Sequence, residues 1–165
     1  EMCIRDSAGT GFTEEERHKL HLRGLLPPKV QTIEEQMQRI HHQLNTKSTP
    51  FEKHLELANL RQRNEHLYYA FIIANMREAL PLVYTPTVGE ACQKFSYIFR
   101  RPEGLTITIE DKGSVDSVVA NWPRPRDTPR VAVITDGSRI LGLGDLGWNG
   151  SVSYTHLTLP TICSV

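Results

Sequence analysis

The first half of the chain is dominated by helical periodicity. Apolar residues recur there every three or four positions, at Ile33, Met37, Ile40 and Leu44. This spacing predicts an amphipathic helix over about 33–44 with a core-facing stripe. A longer helical pattern starts at Pro50, runs to about 79 and has a polar centre at 61–65, where we expect a break between two helices. A further helix is predicted from about 88 to 99.

Four threonines, each followed three residues later by a glutamate, predict helix starts. In this capping box the two side chains satisfy each other's backbone amides. The pairs are Thr13 with Glu16, Thr32 with Glu35, Thr49 with Glu52, and Thr87 with Glu90. The first helix should end near Gly24, because Pro27 and Pro28 cannot continue it.

The period changes after Pro102. Apolar and polar residues alternate from Leu105 to Ile109, which predicts a strand. A short helix is expected over about 114–122, and a buried strand over about 131–135. Strand, helix and strand at this spacing predict a βαβ unit with a parallel pair. We therefore expect an α/β fold: an N-terminal helical layer followed by the beginning of a parallel α/β sheet domain, truncated.

Charge and composition exclude some partners. Lys+Arg and Asp+Glu both number 19, so no basic excess is present to neutralise a nucleic-acid backbone. No apolar run approaches the roughly 20 residues that cross a membrane. The three cysteines show no metal-site spacing and are expected to be reduced. These features predict a soluble intracellular protein, with mitochondrial and cytoplasmic locations both left open.

The two ends differ from the rest. The segment from Val152 to Thr161 has no core periodicity, but the codons GTC TCT TAT ACA CAT CTG ACG CTG CCG ACG would encode it, and these match a transposase-type sequencing adapter. The first six residues match the reverse strand of the same element. We interpret residues 1–7 and 151–165 as adapter-derived and 8–150 as the natural domain. Residues 152–165 are accordingly expected to be disordered.

Tyr84 is the first candidate for chemistry. It lies in Leu-Pro-Leu-Val-Tyr-Thr-Pro-Thr-Val-Gly, at 80–89, on a loop that two prolines restrict. The loop precedes a predicted helix N-terminus, whose partial positive charge favours anions. Such a phenol could donate a proton. The same spacing also fits a tyrosine that only packs a helix start.

Arg139 is the second candidate, in a glycine-rich stretch that follows the last predicted strand. Gly142, Gly144 and Gly147 satisfy G-x-G-x-x-G, but they do not follow the strand directly, so we expect a loop rather than a dinucleotide fingerprint. The guanidinium of Arg139 suits two-pronged carboxylate binding. A surface ion pair is the alternative.

Together these motifs resemble the malic enzyme family. The family has Gly-Leu-Leu-Pro-Pro, here at 24–28, then the tyrosine segment at 80–89. It continues with Ile-Phe-Arg-Arg-Pro, here at 98–102, and Thr-Asp-Gly-x-Arg-Ile-Leu-Gly-Leu-Gly-Asp-Leu-Gly, here at 135–147. The agreement extends from about Gly9 to Gly150.

The resemblance implies oxidative decarboxylation of malate to pyruvate and CO2, with NAD or NADP and with Mg2+ or Mn2+. Tyr84 matches the family's general acid, and Arg139 matches the arginine that holds the malate carboxylate near the nicotinamide. The family's base lysine, its metal ligands and its dinucleotide fingerprint are expected beyond Gly150. The fragment alone is therefore expected to be inactive.

The resemblance also implies a homo-oligomer, a tetramer when full length. Some animal mitochondrial members bind fumarate through two arginines and a glutamate. Arg39 and Arg63 match the arginines, but Gln31 replaces the glutamate, which argues against activation by fumarate. Two other functions remain open: a non-catalytic helical assembly domain, and a dinucleotide-binding module built on the glycine-rich loop.

Overall fold

The computed structural model describes residues 8–98, 104–122, 133–151 and 161–164. The chain divides into a helical unit, Glu1–Leu82, and a second unit, Val83–Val165. The helices are α1 (Glu14–Lys19), α2 (Ile33–Asn45), α3 (Pro50–Arg63), α4 (Glu65–Ala74), α5 (Met76–Val83), α6 (Thr87–Gln93) and α7 (Val115–Ala120). The strands are β1 (Gly104–Ile107), β2 (Val133–Thr135) and β3 (Thr161–Ser164).

The helical unit is organised around α4, which packs against both α2 and α3. The predicted stripe of α2 does face the core, because Ile40 and Leu44 are buried. The main buried apolar side chains that surround them are Leu22, Leu57, Leu60, Leu67, Tyr68 and Phe71. Burial of these side chains is the dominant favourable term in the stability of such a unit. No helix in the described ranges is long and apolar enough to cross a membrane.

Three of the four predicted capping boxes are confirmed, at the starts of α1, α2 and α3. The fourth, at Thr87, is wrong. Pro86 occupies the N-cap position of α6 and Thr87 is already the first helical residue. Because Thr87 lies inside the helix and is buried, it does not cap it. Glu90 instead forms an ion pair with Lys94 at 2.6 Å.

The predicted break in the long helical stretch is confirmed at Asn64. Its backbone N–H donates to Leu60 O at 2.7 Å, which closes α3, and its side-chain oxygen accepts from Leu67 N at 2.9 Å, which caps α4. A second break, at Asn75, separates α4 from α5. Two helices are shorter than predicted: α1 ends at Lys19 rather than near Gly24, and α6 ends at Gln93. Position 99 lies outside the described residues.

The second unit carries a parallel sheet with the strand order β1-β3-β2. The parallel direction of β1 and β2 agrees with the prediction, but the two strands are not neighbours, since β3 pairs with both. Ile162 lies opposite Leu105 on one side and Ile134 on the other. Positions 131 and 132 of the predicted strand lie outside the described residues.

The position of β3 corrects one expectation about the tail. Residues 161–164 were expected to be disordered, yet they form the central strand. The physical reason is that β1 and β2 each present unpaired backbone groups along one edge. An extended segment with β-branched residues such as Thr161 and Ile162 can pair with both edges. Residues 1–7, 152–160 and 165 lie outside the described part.

Candidate functional site

Tyr84 lies in the short connection between α5 and α6. Its carbonyl oxygen accepts a hydrogen bond from Val88 N at 2.9 Å, so its backbone belongs to the first turn of α6. The neighbouring Val83 and Val88 are buried, whereas Tyr84 itself is 42% exposed. The peptide bond between Thr85 and Pro86 is cis. The phenol is therefore accessible on a backbone that is held in place.

The glycine-rich segment after β2 forms a closed loop. Ile140 N donates to Gly144 O at 2.8 Å, and Gly144 N donates back to Ile140 O at 3.0 Å. A second closure lies further out, where Leu146 N donates to Gly137 O at 3.1 Å. Before the loop, Asp136 Oδ1 accepts from Ser138 N at 3.0 Å, and this hydrogen bond lowers the pKa of the Asp136 carboxyl.

Close backbone contact explains two of the loop's glycines. Gly137 has a φ of 68°, and a Cβ on it would lie 1.8 Å from Gly147 O. A Cβ on Gly150 would lie 2.9 Å from Ile140 Cδ1. Only residues without a side chain fit these two positions. Ile140 is buried where the two ends of the loop meet.

Arg139 precedes the buried Ile140 and is itself exposed. Within the described part of the chain, no carboxylate lies at ion-pair distance from its guanidinium. Among those residues, the alternative interpretation of Arg139 as half of a surface ion pair has no partner to support it. The geometry is that of an arginine on an anchored loop, directed away from the unit's core.

The loop does not have the geometry of a dinucleotide fingerprint. Gly142 and Gly144 have φ values of 77° and 78° and belong to the closed turn. After Gly147 the chain forms a short 3-10 turn, Gly147–Ser151. A pyrophosphate site of this type requires a helix N-terminus directly after the glycines. These glycines therefore shape the loop rather than cradle a phosphate.

The second unit brings the tyrosine segment and the arginine loop into contact. A Cβ on Gly89, in α6, would lie 3.4 Å from Leu143 Cδ2 and 3.7 Å from Leu143 Cδ1. Leu143 thus packs over the bare backbone of the helix that begins just after Tyr84. The following 3-10 turn also packs on α6, and Trp148 Nε1 donates to Thr106 Oγ1 in β1 at 3.1 Å.

Sequence comparison places this site in a family. A model of the malic enzyme N-terminal domain matches residues 61–163. The chain belongs to the malic enzyme family. It is 51% identical over 146 residues to the NADP-dependent malic enzyme of Phaseolus vulgaris, a match that covers 88% of this chain and 24% of that protein. NADP-dependent malic enzyme 1 of Arabidopsis thaliana is also 51% identical, covering 88% and 25%.

A chloroplastic NADP-dependent malic enzyme of Oryza sativa subsp. japonica is 50% identical over 142 residues, covering 86% of this chain and 22% of that protein. The chain thus spans about a quarter of the length of these malic enzymes. The matched region includes both Tyr84 and Arg139 and the contact between their segments.

A divalent metal finds no ligand set among the residues that the structure describes. Within the described residues, no three His, Cys, Asp or Glu side chains are grouped so that they could hold a metal ion. Metal-assisted chemistry needs several oxygen or nitrogen ligands that converge on one point. The described residues therefore do not form a metal centre.

Arg39 and Arg63 lie in the helical unit, where both line a cavity of about 250 Å³. Arg39 Nη1 donates to Gln31 Oε1 at 2.6 Å, and Thr10 Oγ1 donates to the same oxygen at 2.6 Å. Two glutamines that no sequence motif marks, Gln36 and Gln43, line this cavity beside the arginines. Gln36 is buried, and its Oε1 has no hydrogen-bond partner among the described residues. Its position three residues before Arg39, on the same helical face, was the available signal.

Proposed function

We propose that this chain is the N-terminal part of an enzyme that oxidatively decarboxylates malate to pyruvate and CO2. NADP is the hydride acceptor that we favour over NAD, since the similar proteins are named for NADP. The observation that carries the proposal is the packing of Leu143 on Gly89. It joins the segments of an accessible phenol and an exposed guanidinium within one compact unit.

Each of the two side chains has a defined part in this proposal. Arg139 binds the malate carboxylate through its planar fork, which a carboxylate can meet with both oxygens. Tyr84 then protonates the enolate carbon that decarboxylation leaves behind, as a general acid. Both are exposed, which is compatible with contact to a small polar substrate.

The rest of the catalytic apparatus is expected elsewhere in the full-length protein. By resemblance to the family, we expect the base lysine, the carboxylates for Mg2+ or Mn2+ and the dinucleotide fingerprint beyond Gly150. The described residues offer such a metal no group of ligands. Groups that act as a unit lose function together, so the 165-residue chain alone should not reduce NADP with malate and Mn2+. Turnover by that chain would contradict the proposal.

The direct test uses the full-length enzyme with a tyrosine pair. Tyr84→Phe should lower kcat about 10²- to 10⁴-fold with little change in KM, because only the proton donor is lost. The matched control is Tyr97→Phe, which removes the same hydroxyl from a tyrosine of the same unit that is 88% exposed. Equal rates for the two variants would remove Tyr84 from the mechanism.

Arg139→Lys tests substrate binding separately. The charge is kept but the two-pronged contact is lost, so KM for malate should rise, by about tenfold for each 1.4 kcal/mol of binding lost. Steady-state kinetics at varied malate concentration measure this. If KM and kcat were both unchanged, Arg139 would not contact the substrate.

A non-catalytic assembly function is the second candidate, and exposed apolar residues of the helical unit favour it. Tyr69, Ile73, Met76 and Leu80 follow one another at intervals of three or four positions and are all exposed. Exposed apolar patches commonly mark interaction surfaces. We propose that this surface contributes to a homo-oligomer. Ile73→Glu should lower the oligomeric mass measured by sedimentation, and an unchanged mass would exclude this surface.

By resemblance, Arg39 and Arg63 correspond to the two arginines of an allosteric fumarate site, but Gln31 argues against fumarate binding there. Gln31 stands where fumarate-activated relatives carry glutamate, and its neutral amide already binds Arg39. We therefore expect no activation by fumarate in the unchanged full-length enzyme. Rates measured with and without fumarate test this, together with Gln31→Glu, which restores the charge. Strong activation of the unchanged enzyme, lost in Arg39→Ala, would contradict the expectation.

We further propose that residues 8–150 are the natural part of the chain and that 1–7 and 151–165 are adapter-derived. The residues from Val152 to Thr161 are those that consecutive codons of one adapter would encode, which supports this interpretation. Under it, another segment of the full-length protein takes the place of β3 between β1 and β2. The sequence of the source transcript tests the proposal, and a transcript that encodes 151–165 in its natural frame would refute it.

A further inference from the structure

We propose that Leu143 is a positioning residue. Its side chain docks the Arg139 loop on α6 and so holds the guanidinium of Arg139 in place relative to the phenol of Tyr84. The inference rests on the proposed function of these two residues. It goes beyond that function, because Leu143 itself carries no group that could bind a carboxylate or move a proton.

The contact is made against helix backbone rather than against another side chain. Both methyl groups of Leu143 approach the place where Gly89 would carry a Cβ, at 3.4 and 3.7 Å. Glycine is an unfavourable residue inside a helix, because it loses the most backbone freedom on folding. Here the absence of a side chain on Gly89 lets Leu143 pack closely against the backbone of α6. Gly89 is buried in the unit together with Ala91 and Cys92.

On the loop side, Leu143 is connected to Arg139 through a hydrogen-bonded turn. Leu143 N donates to Ile140 O at 2.9 Å, inside the turn that Ile140 and Gly144 close. Ile140 is buried and follows Arg139 directly. A shift of Leu143 therefore moves the turn, and with it the backbone that carries the guanidinium.

On the helix side, backbone hydrogen bonds connect Gly89 to the segment of Tyr84. Gly89 N donates to Pro86 O at 3.1 Å, and Val88 N donates to Tyr84 O at 2.9 Å. The first turn of α6 thus includes the backbone of Tyr84. The chain of contacts from Arg139 through Leu143 and Gly89 to Tyr84 lies entirely in the second unit.

The test measures malate kinetics of the full-length enzyme. Displacing a catalytic group by about 1 Å can reduce the rate about 10²-fold, so Leu143→Ala should lower kcat/KM for malate by about 10- to 100-fold. Leu143→Met conserves the volume and should stay within about threefold of the unchanged enzyme. As a control, Leu57→Ala removes the same atoms from a fully buried leucine of the helical unit. It should lower Tm while leaving kcat and KM unchanged.

A second variant keeps the inference falsifiable if Leu143→Ala is also less stable. Gly89→Ala adds a methyl group at the point of contact, so in the Leu143→Ala background it should restore part of kcat/KM. In the Arg139→Ala background, Leu143→Ala should lower kcat/KM for malate no further, because its effect passes through the position of the guanidinium.

The outcomes separate the inference from the proposed function. If Tyr84→Phe and Arg139→Lys leave the kinetics unchanged, the proposed function fails. If they act as expected while Leu143→Ala lowers only Tm, or its effect adds fully to that of Arg139→Ala, the positioning role of Leu143 is overturned and the proposed function stands.

Discussion

The two units close their loops by opposite means. In the helical unit, a side chain reaches to the backbone. Arg17 is only 3% exposed, and its guanidinium donates five hydrogen bonds to carbonyl oxygens. The acceptors are Phe12, Pro27, Pro28, Thr10 and Lys29, at 2.7, 2.7, 3.1, 3.0 and 3.3 Å. One planar cation thus ties together the segments on either side of α1.

In the second unit, backbone meets backbone because side chains are missing. Gly137 and Gly147 approach so closely that a Cβ on Gly137 would overlap Gly147 O. A Cβ on Gly150 would likewise lie 3.1 Å from the backbone of Gly137. The helical unit should therefore be sensitive to the removal of atoms, and the second unit to their addition. The predictions below test this difference.

Removing the Arg17 guanidinium should have the largest effect. Arg17→Leu leaves one buried and four partly buried carbonyl acceptors without their donor, which should destabilise the helical unit by at least about 3 kcal/mol. Arg17→Lys should destabilise the unit less than Arg17→Leu does, but it should still be less stable than the unchanged chain, since an ammonium cannot reproduce the planar fork of the guanidinium. Urea unfolding followed by far-UV circular dichroism measures the loss. Arg23→Leu is the control, because Arg23 is exposed, and its effect should stay within about 0.5 kcal/mol.

Adding one methyl group at Gly137 should have the next largest effect. Gly137→Ala meets both a φ of 68° and the backbone of Gly147, so we expect a loss of about 2–4 kcal/mol. Gly142→Ala is the matched control. It has a similar φ of 77° but nothing within 4 Å of its Cβ, and should cost about 1–2 kcal/mol.

Tryptophan fluorescence during urea unfolding measures these losses of stability. The chain has two tryptophans, Trp122 and Trp148, and both lie in the second unit. Equal losses for the two glycine variants would mean that the close approach of Gly137 and Gly147 contributes nothing. The contrast between the units would then rest on Arg17 alone.

The same difference explains what the sequence could predict. The starts of α1, α2 and α3 follow from capping boxes, in which residues three positions apart satisfy each other. Asn64 ends one helix and begins the next through partners within four residues. Such short-range signals are visible along the chain. Tyr84 and Arg139 could be named as candidates for the same reason, because each lies in a motif of consecutive residues.

Long-range partners could not be predicted in this way. The acceptors of Arg17 lie 5 to 12 positions away, outside the turn that carries it. The insertion of β3 between β1 and β2 depends on segments that are still further apart in the chain. The packing of Leu143 on Gly89 spans more than 50 positions and leaves no local pattern. The capping prediction for Thr87 was wrong although the motif is present. The helix begins at Thr87 itself, one residue earlier than a cap at that position requires.

A smaller effect is expected for a single helix cap of the helical unit. Thr49 Oγ1 accepts from Glu52 N at 3.2 Å, so Thr49→Ala should cost about 1 kcal/mol of stability. Thr49→Ser keeps the oxygen and should cost clearly less. Circular dichroism during urea unfolding measures both variants. If serine and alanine were equally destabilising, the hydroxyl would not be the stabilising group.

The smallest effect is the pH dependence that the same caps produce. The pKa of Glu52 lies below its ordinary value of 4.5 because the backbone N–H groups of Thr49 and Ser48 donate to its carboxylate. The pKa of Glu16 is lowered in the same way by Thr13, and that of Glu35 by Lys29 first and then by Thr32.

A lowered folded-state pKa means that the ionised form favours the fold. The stabilisation is therefore complete above a pH of about 4.5 and is lost as the pH falls through the lowered folded-state values. Replacing Glu16, Glu35 and Glu52 together by glutamine keeps a capping acceptor but removes the titration. The stability of the helical unit, measured between about pH 5 and 3, should then depend less steeply on pH than in the unchanged chain. An equally steep dependence would show that carboxylates outside the caps produce it.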